Sequence, residues 1–431
     1  MTDTRLKRRI VGALSKRLRE ARLDEVEDPR DRRGRRWQLK TLLGTALVGL
    51  VAGCRSLLEV EALTEDLSPA TRQRFGLTRR LPDTTLHNLL WQLQPQQVLS
   101  VLHRVVRAAH RRRALVPDEL PFGVVSLDGK STAVPACDEY YAQRQSQHEG
   151  QCLGLVRTIS AVLTSSPARP YLHVTPVPAF TNEMGIFQRA LDELMSVYGR
   201  ADLFRVVTYD AGACSKDNAQ HVRSHGLHYV FGLKGSQPTL LDEAKRLLAA
   251  RTAAHCDAQS EDLDHGTVTR RIWLSEIGAG YDGWESLRTV VRVQTETRDA
   301  DGRLTSCDER YFISSLPLRR LSPSQWLLLI RRHWRVETAH QILDTALAED
   351  DHPWVVSCPR ATVVVSILRR IAYTLLSLFR SVTQRSAGAR AVAWKQLCRH
   401  ATNPLGGRWR RRNMDRGWAS TPRARLADSI G

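Results

Sequence analysis

The chain has 431 residues, 42% of them hydrophobic, and carries 64 Lys and Arg against 45 Asp and Glu, a net charge of +19. This length and composition allow two or three globular domains with a sizeable core. The eight cysteines form no CxxC pair and no Cys/His ligand spacing. That pattern argues against a zinc site and predicts free thiols in a reducing cytoplasm.

The positive charge favours a polyanionic partner, because each Lys or Arg placed on a phosphate releases counterions. Nucleic acid is the main interpretation; an anionic membrane surface belongs to the same class, and a basic protein without a specific partner is the alternative. Basic residues cluster at 30–36, 111–113 and 408–412. These runs predict a surface that binds a phosphate backbone, although such runs are also typical of a solvated face.

Neither a secretory signal nor a membrane span is predicted. The N-terminus lacks an apolar stretch after its basic residues. The apolar run at 42–54 is too short to cross a bilayer, and the run at 361–379 is interrupted by Arg369 and Arg370. Both runs therefore predict buried helices, and we expect a cytoplasmic protein without membrane contact.

The hydrophobic pattern divides the chain into four regions. Apolar residues recur every three or four positions through residues 1–118, which predicts a helical N-terminal region. Residues 119–350 alternate apolar strands and helices, which predicts an α/β core with a mixed sheet. Within it, polar–apolar alternation over 256–321 predicts an inserted antiparallel segment of three strands. Helices are predicted over 351–400, and a basic, partly disordered tail over 401–431.

Two aspartates occupy equivalent positions in this core. Asp128 ends the apolar strand VVSLD, and Asp210 ends the apolar strand RVVTYD. Ligands of open α/β sheets bind at the edge where such strands end. Either residue could instead cap a turn, but the pair in this strand order favours a functional site.

Paired carboxylates repel each other unless a cation lies between them. Because the ligands are oxygens without a Cys or His cluster, they indicate Mg²⁺ or Mn²⁺ over Zn²⁺. Two such ions roughly 3.5–4 Å apart can activate an attacking oxygen and stabilise a leaving one in phosphoryl transfer. That reaction suits a basic protein, and it calls for a third carboxylate.

Glu337 is the candidate third carboxylate. It lies on a predicted helix, with Asp344 seven residues further along on the same face. The alternative is a surface glutamate paired with Arg331 or Arg335.

The helix that carries Glu337 is predicted to run over 322–348, with Pro323 in its first turn. The acidic cluster EDDHP at 349–353 follows at the helix end. We interpret this cluster as a solvated cap.

Several strings of this chain occur in an order that resembles a known family. They are VVSLDGK, TNE, VVTYDAG, HYVFGLKGSQPTL, YFISSL and HWRVE followed by LD and EDD. The set resembles the DDE transposases of bacterial insertion sequences, in particular the branch that includes the H-repeat-associated proteins. The resemblance covers about residues 36–380.

This resemblance implies an RNase H-like core with a β insertion before the last catalytic residue. The catalytic, metal-binding triad of the family falls on Asp128, Asp210 and Glu337. The implied activity is metal-dependent cleavage at transposon ends and strand transfer into target DNA, with no covalent protein–DNA intermediate. The implied partners are double-stranded DNA, as terminal inverted repeats and target, and a second copy of the chain in a homodimer. The alternatives are a nuclease that cuts without joining and a non-catalytic DNA-binding relic.

Five further residues are candidates for contact with DNA: Lys130, Lys234, Gln237, Arg331 and His333. Lys130 follows Asp128 by two residues and could face the scissile phosphate or solvent. Lys234 and Gln237 lie in the loop after the last core strand, where an ordinary strand-to-helix connection is the alternative. Arg331 and His333 precede Glu337 on its helix. The helical region 1–118 is expected to help bind the transposon ends.

Overall fold

A computed structural model describes residues 3–138, 140–148, 151–249, 257–263, 266–384 and 386–402. The basic run at 408–412 and the predicted disorder of the tail therefore lie outside the described residues, apart from 401–402.

The N-terminal region is helical, as its apolar spacing predicted. Its helices are α1 Asp3–Glu20, α2 Leu39–Val51, α3 Leu57–Asp66, α4 Pro69–Arg74, α5 Asp83–Gln92 and α6 Pro95–Arg111. Leu93 and Gln94 separate α5 from α6, and Pro95 begins α6. Proline suits that first position because the amide it lacks has no partner inside the helix. In α2 nearly every side chain is buried, which confirms the prediction for residues 42–54.

The described strands form one ten-stranded mixed sheet. They are β1 Val124–Val134, β2 Ala142–His148, β3 Gln151–Leu163, β4 Tyr171–Pro176, β5 Val206–Tyr209, β6 His228–Leu233, β7 Asp257–Leu263, β8 Gly266–Glu276, β9 Thr289–Asp299 and β10 Leu304–Ser314. The order along the sheet is β2-β3-β1-β5-β6-β10-β9-β8-β7, and β4 also pairs with β3.

The centre of this sheet is an RNase H-like core. β1 pairs antiparallel with β3, which in turn pairs antiparallel with β4. On its other side β1 runs parallel to β5, and β5 runs parallel to β6. β5 ends at Tyr209, immediately before Asp210, as predicted. The prediction that Asp128 ends its strand is wrong, because β1 continues past Asp128 to Val134 through its pairing with β3.

The inserted β segment has four described strands, one more than predicted. β8, β9 and β10 match the predicted strands, and β7 pairs antiparallel with β8. β7 reads DAQSEDL and β2 reads AQRQSQH, so neither has the apolar residues that reveal a strand in sequence. Each of them pairs instead with a longer neighbouring strand. At its end, β10 pairs with β6 and joins the insertion to the core sheet.

Helices cover the sheet and fill the rest of the chain. They are α7 Glu183–Tyr198, α8 Lys216–Ser224, α9 Pro238–Ala249, α10 Pro323–His333, α11 Arg335–Leu347, α12 Pro359–Leu378, α13 Ala387–Arg390 and α14 Trp394–Thr402. The segment Pro359–Thr383 is long and apolar enough to cross a membrane by length and composition, and the 18-residue apolar window that meets this test is wholly buried inside the fold. It packs against α2 and α6 on one side and against β3 and β4 on the other, so the N-terminal helices share a core with the sheet.

The single helix predicted over 322–348 is broken at Trp334. This residue ends α10 and begins α11 with φ −66° and ψ −4°. A ψ near zero departs from the helical value of about −42°, so the two helices meet at a bend. The bend places Glu337 in the first turn of α11.

Candidate active site

Asp128 on β1 and Asp210, directly after β5, lie side by side where β5 ends. In the parallel pairing of β1 with β5, Ser126 lies opposite Thr208, and their hydroxyl oxygens are 2.8 Å apart. Each aspartate is two residues further on, so alternation along a strand returns both to this same face. Neighbouring strands are about 4.8 Å apart, which brings the two carboxylates together.

The surroundings of the two aspartates differ. Asp210 Oδ1 accepts a hydrogen bond of 2.9 Å from the Gly212 amide. This aspartate therefore does cap a turn, while remaining exposed at the site. Asp128 Oδ2 lies 3.2 Å from Nδ1 of the buried His340, which holds the carboxylate in position. Burial lowers the pKa of His340, although its contact with Asp128 opposes that change.

Glu337 faces these two aspartates from α11. Burial raises its pKa, and the negative charges of Asp128 and Asp210 raise it further, while Arg310 on β10 lowers it. The proposed pairing of Glu337 with Arg331 or Arg335 is not what the structure shows. The Arg331 guanidinium binds Glu261 Oε2 at 3.1 Å, and Arg335 donates to the Thr164 carbonyl at 3.1 Å.

A fourth carboxylate, that of Glu183, belongs to the same cluster and was missed from the sequence. It is the first residue of α7. A Cβ added to Gly129 would lie 2.1 Å from its carboxylate carbon, so Glu183 packs directly against the residue after Asp128. Burial raises the pKa of Glu183, and the charge of Asp128 adds to this effect. The available signal was the string TNE, in which Asn182 caps α7 by accepting from Gly185.

The side chain of Lys130 points into the protein and does not face solvent. Its Nζ lies 2.7 Å from Asp344 Oδ1 and 3.0 Å from Asp350 Oδ2, and its side chain is 8% exposed. Lys130 therefore neutralises the charges of Asp344 and Asp350. Its charge is engaged within the protein, which does not fit the expected contact with DNA.

The acidic cluster after α11 is not a solvated cap throughout. Glu349 is 1% exposed, and its Oε1 accepts from Nη1 of the fully buried Arg370 at 2.8 Å. Arg370 also donates to Ser160 Oγ on β3. A buried carboxylate requires a partner of this kind. Asp351, two residues on, is exposed, so the prediction holds for Asp351 and is wrong for Glu349.

The other four candidates for DNA contact occupy different environments. His333 is buried, and its Nδ1 lies 3.0 Å from Thr208 Oγ1, which fits a role in seating α10 on the sheet and does not fit contact with DNA. Gln237 donates to the Cys214 carbonyl at 3.0 Å and so fastens the loop that follows Asp210. Lys234 is exposed beside it. Arg331 is partly exposed and pairs with β7 through Glu261.

A cavity in the described part of the chain lies away from this site. It has a volume of about 540 Å³ and lies at the opposite sheet edge. Its lining includes Gly123 before β1, Val206 at the start of β5 and His228 at the start of β6. The carboxylate cluster lies away from this cavity, where β5 ends.

Comparison with known proteins identifies the family. Residues 123–373 match the family described as "Transposase DDE domain", and residues 21–105 match the one described as "DDE_Tnp_1-associated". The first match includes Asp128, Asp210 and Glu337.

The chain is also similar to individual proteins. It is 34% identical over 133 residues to "Uncharacterized protein in dhlA 3'region" of Xanthobacter autotrophicus, covering 29% of this chain and 43% of that one. It is 25% identical over 266 residues to "H repeat-associated putative transposase YhhI" of Escherichia coli K12, covering 59% of this chain and 64% of that one. The alignments thus span less than two thirds of either relative.

Among solved structures, the chain is similar to one titled "Cryo-EM structure of piggyBac transposase synaptic complex with hairpin DNA (SNHP)". The TM-score is 0.41 at 9% identity, over 97% of this chain and 80% of that chain.

Because the match to the transposase domain spans residues 123–373 of 431, the chain belongs to the DDE transposase family.

Proposed function

We propose that this protein is a DNA transposase that cleaves DNA at terminal inverted repeats and joins the ends to target DNA. Asp128, Asp210 and Glu337 are the proposed catalytic carboxylates. One observation carries the proposal: three residues from distant parts of the chain lie close enough together for the two aspartates to raise the pKa of Glu337. Such crowding of negative charge is unfavourable without a cation and is typical of functional sites.

The residues present fit a divalent metal. The cluster is made of carboxylates, and its two glutamates, Glu183 and Glu337, both have raised pKa values. Hard oxygen donors of this kind suit Mg²⁺ or Mn²⁺. When bound by Asp128, Asp210 and Glu337, two such ions would supply activation of the attacking oxygen and charge stabilisation of the leaving oxygen.

The chain itself contributes orientation. His340 holds one oxygen of Asp128, and the Gly212 amide holds one oxygen of Asp210. The second oxygen of each carboxylate is left for a ligand. Glu337 lies in the first turn of α11, where the helix dipole stabilises its negative charge.

A nucleophilic side chain is not required by this mechanism, and the nearby thiol is unsuited to the task. Cys214 is buried, and burial raises its pKa to about 12. The thiol is therefore protonated at neutral pH, whereas the thiolate is the reactive form. Water, and then the DNA 3′-hydroxyl, are the proposed nucleophiles.

The proposed DNA partner fits the charge of the chain. Arg32, Arg33 and Arg36 are exposed in the N-terminal region, and residues 111–113 add a second exposed basic group. We assign the binding of transposon ends to this region and expect two copies of the chain in the active complex, since two ends must be joined. The protein would act on DNA in the cytoplasm.

The test is cleavage and strand transfer on DNA that carries the inverted repeats flanking the gene, with Mg²⁺ or Mn²⁺. Joined products that require metal and disappear in Asp128→Asn, while end binding persists, are the expected result. Retention of cleavage by Asp128→Asn would reject the triad.

Two other outcomes would favour the alternatives. Metal-dependent cutting without joining indicates an RNase H-like nuclease. Binding of the ends without chemistry in either metal indicates a non-catalytic relic.

A further inference from the structure

A second cluster of metal-binding side chains lies outside the carboxylate site, between α7 and α8. Asp192 projects from the middle of α7, and His221 lies on α8, with His225 directly after its last residue. The Nε2 atoms of His221 and His225 lie 2.8 Å and 2.7 Å from the same oxygen, Asp192 Oδ1. The three potential ligand atoms all lie within 4.8 Å of one another.

The spacing of the two histidines explains why they converge. Residues four apart on a helix face the same side, one turn above the other. The two rings are nearly perpendicular, with centroids 5.1 Å apart and an interplanar angle of 85°, so each can direct its Nε2 toward a common point. Both imidazoles are partly exposed, and Asp192 is more exposed still, so an ion can enter from solvent.

We propose that Asp192, His221 and His225 form a binding site for a transition-metal ion of the Zn²⁺ class. Two imidazole nitrogens and one carboxylate oxygen suit Zn²⁺, Co²⁺ or Ni²⁺, whereas Mg²⁺ prefers oxygen ligands. Ligands about 2.1 Å from a tetrahedral ion are about 3.4 Å apart. The present separations of 2.7 and 2.8 Å need to open by only about 0.6–0.7 Å to reach that distance. Water would take the fourth position, as in other sites with three protein ligands.

The site lies between two elements that hold the carboxylate cluster. α7 begins with Glu183, and α8 follows the turn that begins at Asp210. One turn from the proposed site, Gln188 on α7 donates to Asn218 on α8 at 3.1 Å, and Asn218 donates to the Ala213 carbonyl in that turn. A bound ion would add a strong link to this contact, and would stabilise the packing of α7 on α8.

The test is metal binding by the untagged full-length protein after removal of metal with a chelator. Titration calorimetry with Zn²⁺ is expected to show one site that His221→Gln, His225→Gln and Asp192→Asn each weaken at least about tenfold. The matched control is His87→Gln, on α5, which is expected to bind like the wild type. The site is chemically separate from the catalytic one, so Asp128→Asn is also expected to bind Zn²⁺ normally.

Two further readouts keep the result unambiguous. Co²⁺ at this site is expected to give visible d–d bands without thiolate charge-transfer absorption, which excludes binding by cysteine. A Zn²⁺ concentration a hundredfold above Kd is expected to raise the unfolding midpoint by about 3 °C in the wild type and in His87→Gln, and to leave it unchanged in the His221→Gln/His225→Gln double variant. Absence of Zn²⁺ binding to the wild type, or equal binding by the His221→Gln/His225→Gln double variant, would overturn the proposal. Circular dichroism in chelator establishes that each variant is folded.

Discussion

The guanidinium carbon of Arg310 lies 5.0 Å from the ring centroid of Trp334. Arg310 belongs to β10 of the inserted β segment, and Trp334 stands at the bend between α10 and α11. The cation thus sits near the start of the helix that carries Glu337, whose pKa it lowers. The insertion therefore contributes to the electrostatics of the candidate site, beyond extending the sheet.

Replacing this arginine should change the pH dependence of DNA cleavage. Arg310 favours the ionised form of Glu337, so Arg310→Ala should raise the pKa of Glu337 further above its ordinary value. A metal ligand must be ionised, and the acidic limb of the rate profile should move to higher pH. We expect severalfold slower cleavage at pH 6 and a nearly normal rate at pH 8.5.

The control for this profile is Arg303→Ala, an exposed residue before β10. A uniform loss of rate at every pH would show that Arg310 acts on DNA binding or folding and leaves the ionisation of Glu337 unchanged.

Removing the charge of Glu337 should stabilise the metal-free protein. A carboxyl group whose pKa is raised in the folded state destabilises that state when it ionises, and this cost appears as the pH rises through the raised pKa. Glu337→Gln should therefore unfold about 1–2 °C above the wild type at pH 7 in chelator, and at the same temperature near pH 4. Glu276→Gln, at an exposed strand end, serves as the control. A lower unfolding temperature for Glu337→Gln than for the wild type at pH 7 would contradict the conclusion that Asp128 and Asp210 repel the charge of Glu337.

The Glu349–Arg370 ion pair should be important for folding. Removing one partner leaves the other charge buried and uncompensated. Glu349→Ala should lower the free energy of unfolding by about 3–5 kcal/mol, measured by urea denaturation. Asp351→Ala, two residues away and exposed, should change it by less than about 0.5 kcal/mol. Equal stability of the two variants would mean that Glu349 is hydrated in solution.

Exposed arginines of the N-terminal region should set part of the salt dependence of DNA binding. Each phosphate contact contributes about 0.9 to the slope of log K against log salt concentration. The variant Arg32→Gln/Arg33→Gln/Arg36→Gln should therefore reduce the slope by about 2–3 if all three bind phosphates. An unchanged slope would place the DNA on another surface. Arg30 is excluded from the set because it is buried and bonded to Asp28 and the Trp37 carbonyl.

The positions of Asp128 and Asp210 could be predicted because their signal is local. Each follows a short apolar run, and the parallel pairing of β1 with β5 brings the two runs side by side. The polar residues after Asp128 concealed the continuation of β1 to Val134. Glu183 carries no such signal, since an acidic residue at a helix start is common. Only the packing of α7 against Gly129 reveals its place in the cluster.

The ion pairs could not be predicted for a different reason. Lys130 and Asp350 are 220 residues apart, and so their contact depends on tertiary structure. The same holds for Glu349, which appears in sequence as one of three adjacent acidic residues. Its burial follows from α12, which brings Arg370 beneath the sheet.

The most direct test of the catalytic assignment is the single-turnover cleavage rate at saturating Mg²⁺ for Asp210→Asn and Asp217→Asn. Both aspartates lie close together after β5, but Asp217 is exposed on α8 and outside the cluster. Losing a metal ligand removes several kcal/mol of transition-state stabilisation. We expect Asp210→Asn to be slower by at least about a thousandfold and Asp217→Asn to match the wild type. Similar rates for the two variants would contradict the assignment of Asp128, Asp210 and Glu337 as the catalytic site.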